Sequence, residues 1–167
     1  MTPADLLTDA LSRVLDDVEA VLDGLDDATL VRRAGPDANT IAWLVWHLTR
    51  VQDDHVADVA GTGQVWTEEG YAERLALPLE PHDIGYGHTS EQVGAVRASA
   101  GALLDYYRAT HARTLAFVAT VSPEDLDRVV DTRWDPPVTL GVRLVSVVND
   151  CTQHVGQAAF LRGLLRG

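Results

Sequence analysis

The chain has 167 residues, 46% of them hydrophobic and 23% charged, with a formal net charge of −12. That length suits one domain with a sizeable core, expected to span residues 1–167, and the acidic balance excludes a nucleic-acid groove or an anionic membrane surface as the main partner. Every basic residue is arginine, so no lysine is present for Schiff-base chemistry.

A lone Cys151 allows no internal disulfide. No charged-then-apolar leader opens the chain, and its apolar runs fall short of a membrane span. A soluble protein in a reducing cytoplasm is the expectation.

In chain order, the first predicted element runs from about Ala4 to Asp23, with Leu7, Leu11, Val14, Val18, Val21 and Leu25 at helical spacing. Its other face, with Asp16, Asp17 and Glu19, reads as solvated. After the Gly35-Pro36 break, Asn39 or Thr40 caps a second helix whose inward stripe is Leu44, His47, Leu48, Val51 and His55.

From Gly61 to His88 the chain offers a short helix near Glu68 to Leu75 and then the segment PLEPHDIGYGH. Its prolines and glycines forbid a continuous helix, so a long loop between the second and third helices is expected. The third helix opens at Thr89 or Ser90, with Gln92 completing a capping box, and its stripe from Val93 through Val96, Leu103 and His111 runs to about Thr120.

Ser122-Pro123 starts a short helix, and Asp135-Pro136-Pro137 breaks the chain. The fourth long helix begins near Thr139 and carries Leu140, Leu144, Val147, Cys151, His154, Ala158 and Leu161 inward. No segment shows convincing strand alternation. Four amphipathic helices most economically form an all-α, antiparallel four-helix bundle.

Asp150 and His154 are four residues apart, which on a helix brings their Cβ atoms to about 6 Å on one face. The two histidines of the HExxH motif use the same spacing to converge on one ion. A carboxylate and a neutral imidazole suit zinc and other first-row divalent metals, and His47 joins them if the second and fourth helices are neighbours. Without that adjacency the pair reads as an ordinary hydrogen-bonded helix pair, and His47 as a buried histidine with a partner.

The segment NTIAWLVWHLTRVQDDH around His47, together with NDCTQHVGQ on the last helix, resembles the DinB-like metalloenzyme superfamily, in particular its actinobacterial branch of mycothiol-dependent enzymes. The resemblance covers the chain from the first helix to Arg162. It implies a DinB-like bundle whose metal ligands are His47, Asp150 and His154, with Gly156 and Gln157 belonging to the same motif. Zinc is the first expectation, with nickel or another first-row metal as alternatives. In this sequence Asp150 stands where the family commonly has His or Glu, and Val155 where Arg is common.

The function that the resemblance implies is a metal-dependent thiol S-transferase, with mycothiol and an electrophilic small molecule as substrates and a homodimer as the assembly. The chain stops just past the fourth helix, so the additional domain of the mycothiol-dependent maleylpyruvate isomerases is not expected. A non-catalytic metal-binding or interaction module of the same fold, and a metal-dependent hydrolase, are the other readings.

Around the trio, Arg50 is a candidate for holding an anionic substrate group, set against a helix-surface pair with Asp54. Tyr86 and His88, between glycines ahead of the third helix, are candidates for a cover over the site, and Gln157 is a further candidate for substrate contact. Trp43 and Trp46 read as core anchors or pocket walls. His111 reads as a buried, hydrogen-bonded residue, and Cys151, about 100° from Asp150 around the helix, as a packed core thiol.

Overall fold

The computed structural model describes residues 1–166, beginning with a helix that its own first turn secures. In α1 (Pro3–Leu22) the Thr2 hydroxyl accepts from the Asp5 N–H while the Asp5 carboxylate accepts from the Thr2 N–H, and Pro3 opens the helix. Leu11, Val14, Val18 and Val21 of the expected stripe are buried. A single turn, α2 (Asp27–Leu30), is capped by Asp26.

Helix α3 (Ile41–Ala60) starts at Thr40, whose hydroxyl accepts from the Trp43 N–H, and stops at Gly61 in the left-handed region. Every residue from Ile41 to Asp53 is buried. A helix covered on all sides is the centre of a fold. Its polar residues His47, Arg50, Gln52 and Asp53 therefore need partners inside the protein.

The excursion that follows contains two short helices, α4 (Val65–Glu68) and α5 (Tyr71–Leu75). Beyond it the expected third helix is two: α6 (Ser90–Ala95), opened by the predicted Thr89–Gln92 capping box, and α7 (Ala100–Val118). Val96 is extended and fully buried, and the Ser99 hydroxyl caps afresh by accepting from the Ala102 N–H. A hydroxyl competing for backbone donors favours such a break.

The segment from Ser122 gives only a 3₁₀ turn at Glu124–Asp127 before passing into a small antiparallel hairpin, β1 (Val129–Asp131) with β2 (Val138–Thr139). The expectation of no strands is corrected here. Pairs this short have no room for an alternating pattern. The chain then enters α8 (Leu140–Arg166).

The four long helices form a bundle in which α3 packs against α7 and α8, and α1 packs against the same two. The inward line of α8 is Leu140, Leu144, Val147, Cys151, Val155, Ala158 and Leu161. Val155, not His154, takes the core position, so His154 stands at the edge of that face. Among the described residues no helix is long and apolar enough to cross a membrane.

Arg50 and Asp53 form a buried ion pair that also engages the excursion. The Asp53 carboxylate accepts from the N–H groups of Val65 (2.9 Å) and Trp66 (2.8 Å) and from the Tyr106 hydroxyl (2.8 Å), and it lies 3.7 Å from Arg50 Nη1. Arg50 donates from Nε to the Asp83 carbonyl (3.1 Å) and from Nη1 to Gln64 (2.9 Å) and Tyr106 (3.2 Å). Both ends of the excursion are thereby tied to one turn of α3.

Removing one partner of a buried pair strands the other charge, at a cost of about 3–5 kcal/mol. Asp53→Ala is accordingly expected to lower unfolding stability by about that much, read from urea denaturation. A loss below about 1 kcal/mol would show that the network does not hold the excursion.

Cys151 is fully buried, and burial pushes its thiol well above the ordinary range. It is expected to resist iodoacetamide in the native protein at pH 8 and to react once the chain is unfolded, as mass spectrometry would record.

Candidate metal site and adjoining cleft

Because α3 packs against α8, His47 faces Asp150 and His154, and ligand atoms of the three lie within 4.8 Å of one another. The imidazoles of His47 and His154 meet edge to face with centroids 4.7 Å apart. Trp43 stacks on His47 at 4.6 Å and meets His154 edge-on at 6.2 Å, closing one side of the group. The adjacency that the sequence could only assume is present.

Each histidine has one nitrogen engaged away from the group. His47 Nδ1 donates to the Ile84 carbonyl at 2.5 Å, and His154 Nδ1 donates to Gln157 Oε1 at 3.1 Å. An acceptor on Nδ1 keeps the proton there and leaves the Nε2 lone pair bare, the usual arrangement of a metal-ligating histidine.

Asp150 Oδ1 lies 3.6 Å from His154 Nε2, while Asp150 Oδ2 is buried with no partner. Two bare imidazole nitrogens and an unpartnered carboxylate oxygen form a donor set that a divalent cation complements. The residues present fit such an ion.

Burial, reinforced by His154 and His88, brings His47 down to about 4 against the opposing pull of the Ile84 carbonyl. It is neutral at pH 7, the state that a ligand requires. Burial raises the Asp150 carboxyl, opposed by His154 and His55.

The loop that reaches His47 depends on a glycine. Gly85 has φ +97°, and a Cβ there would stand 2.6 Å from His47 Nδ1 and 3.1 Å from the Trp46 ring. Asp83 shapes the turn: Oδ1 accepts from the Gly85 N–H at 2.8 Å and Oδ2 pairs with His88 Nε2 at 2.8 Å. His88 Nδ1 in turn accepts from Trp43 Nε1 at 3.0 Å.

Several expected roles change in this light. The His88 side chain is almost wholly buried and clamps the loop to α3, so it is no substrate contact. Arg50 is fully buried beside Asp53, Gln64 and Tyr106, which corrects the surface pair with Asp54, and its Nη2 has no partner. Gln157 orients His154, and its amide faces that ring.

Tyr86 alone of the loop candidates remains open. It is 60% exposed, and its ring lies roughly perpendicular to that of His47 with centroids 5.4 Å apart. His111 is buried beside Tyr107 on α7, outside the group, and its Nδ1 lacks the expected partner.

Beyond Tyr86 the trio adjoins a cleft of about 780 Å³, lined among others by Ile84, Tyr86, Trp134, Val138, Arg143 and Ser146. Ser146 lies one turn before Asp150 on α8. Sequence reading missed this cleft and the roles of Asp83 and Gly85; the D-I-G-Y-G run was the only signal for the turn.

Comparison with known proteins places the chain in a family. The family model described as mycothiol-S-transferase matches residues 6–167. A conserved protein from Enterococcus faecalis of known crystal structure is similar over 100% of this chain and 99% of its own, with 31% identity and a TM-score of 0.93. A DinB-like protein from Bacillus cereus ATCC 10987 shares 18% identity over 93% of this chain and 87% of its own, with a TM-score of 0.61, a likeness of fold. None of the curated proteins searched matches. With its model matched across nearly the whole chain, the protein belongs to the mycothiol-S-transferase family.

Proposed function

We propose that this chain is a cytoplasmic, divalent-metal-dependent S-transferase that joins mycothiol to an electrophilic small molecule. The observation that carries this reading is the convergence of two imidazoles with bare Nε2 atoms on a carboxylate whose buried Oδ2 has no partner. His47, Asp150 and His154 would hold the ion, and two nitrogens with one oxygen suit zinc first among the first-row metals. A bound ion supplies the positive charge that lowers the pKa of a thiol reaching it.

The protein's own part is positioning. The Ile84 carbonyl and Gln157 hold the two imidazoles in the tautomer that presents Nε2. Trp43 excludes water from one side, while the part-exposed Asp150 and His154 leave the other open to substrates.

The thiol sulfur, once deprotonated, gives its electron pair to the electrophilic carbon to form the S–C bond, the leaving group (chloride for a chloroarene) departs with the pair of the bond it breaks, and the proton passes to solvent. Neither a lysine amine nor the cysteine thiol competes: lysine is absent and Cys151 is sealed in the core.

Purified protein is expected to carry a stoichiometric divalent ion, read by elemental analysis, and to conjugate mycothiol to a chloro-nitroarene. His47→Ala and His154→Ala should lose ion and activity together. Metal-free protein whose conjugation survives His47→Ala would overturn the reading, and turnover without thiol would make it a hydrolase.

Gly85→Ala must displace either the loop or His47, so it is expected to weaken metal affinity by about 10- to 100-fold, the range for losing an orienting partner. Metal titration followed by dialysis measures it. Unchanged affinity would mean that Ile84 does not orient the ligand.

A further inference from the structure

We propose that His88 is a positioning residue for the metal site and acts through Trp43: it fixes the indole, and the indole fixes the plane of the His47 imidazole. This rests on the metal-dependent reading above and adds a second constraint on the ligand, separate from the Ile84 carbonyl.

One hydrogen bond does not fix an imidazole. The χ2 torsion of a histidine is broad, and the bond from Nδ1 to Ile84 holds one atom while the ring can still tilt about it. Trp43 stops the tilt. One turn before His47 on α3, its indole lies 11° from parallel with the imidazole at a centroid separation of 4.6 Å, and the same indole meets His154 edge-on at 6.2 Å.

The indole is itself held. Its Nε1 donates to His88 Nδ1 at 3.0 Å, so the His88 proton sits on Nε2, which donates to Asp83 Oδ2 at 2.8 Å. Trp46 stacks on His88 at 5.7 Å and 18°, and the His88 side chain is only 3% exposed. Asp83 is anchored in turn, its carbonyl accepting from Arg50 Nε and its Oδ1 from the Gly85 N–H. The contacts thus run from Asp83 through His88 and Trp43 to His47.

The buried tryptophans show that this pairing is selective. Trp43, Trp46 and Trp66 are all buried, yet Trp46 and Trp66 leave Nε1 without a partner. Among the described residues the one buried indole whose N–H is bonded is the one lying on His47. Packing alone would be served by an apolar side chain at position 88. What the imidazole adds is an acceptor at a fixed place for that N–H.

The test titrates metal-stripped protein with Co(II), reading affinity by chelator competition and ligand geometry by the visible absorption bands. Trp43→Phe and His88→Leu are each expected to weaken binding by about 10- to 100-fold, the range for losing an orienting partner, and to alter the bands. Because the two act in series, the double variant should lose no more than either single one. His88→Asn, whose Oδ1 can take the place of Nδ1, keeps the acceptor for Trp43 and gives up the bond to Asp83. It should retain affinity within a few-fold of the wild type, which separates the indole contact from the clamp on the loop.

Additive losses in the double variant, unchanged bands, or His88→Asn as weak as His88→Leu would overturn the proposal. Should His88→Leu fail to fold, Trp43→Phe and His88→Asn decide alone, the first losing affinity and the second keeping it. If the wild type binds no Co(II), the metal reading falls. Positioning is then judged at pH 7 from the ring ¹⁵N shifts of His47, whose Nδ1–H tautomer must lose its dominance in Trp43→Phe and keep it in His88→Asn.

Discussion

The bond between His47 Nδ1 and the Ile84 carbonyl is the contact on which the site's geometry depends. An imidazole in a helix buried on every side must have its ring N–H paired, and no neighbour on α3 supplies an acceptor. A loop carbonyl does, and by accepting the proton it determines which nitrogen faces Asp150 and His154. The requirement then propagates: the carbonyl can approach only because residue 85 has no Cβ, and the loop stays in place only because α3 holds it elsewhere.

That hold is periodic. His47, Arg50 and Asp54 occupy positions i, i+3 and i+7, one face of α3. Each meets the excursion, His47 at the Ile84 carbonyl, Arg50 at the Asp83 carbonyl and Gln64, Asp54 at Gln64. Asp53 adds the N–H groups of Val65 and Trp66. The excursion is therefore a fixed wall of the bundle, and its polar anchors on α3 lie within two turns of the proposed ligand.

The bundle was largely legible because apolar spacing and caps are local. Thr40, the Thr89–Gln92 box and Gly61 mark ends that the structure keeps. The break at Val96 was hidden because Val93, Val96 and Ala100 hold helical spacing straight through it. The trio was legible only as a spacing of four on α8 plus a family likeness, since its third member depends on which helices touch. Arg50 was misread for a physical reason: a surface pair assumes an amphipathic helix, and α3 has no solvent face over that span. The cleft, drawn from α3, the loop, the hairpin and α8, has no signature in any one segment.

The same packing gives the site a direction. His47 is 2% exposed, whereas the Asp150 and His154 side chains remain 20% and 19% exposed because Cys151 and Val155 take the inward positions of α8. A substrate can thus approach only from the side of α8 away from the core. Trp43 covers His47 and the edge of His154, which leaves the approach past Tyr86 and Ser146. That route leads into the cleft with Arg143 and Trp134. The burial that makes His47 a neutral, oriented imidazole is therefore also what confines the incoming molecules to one wall of known chemistry.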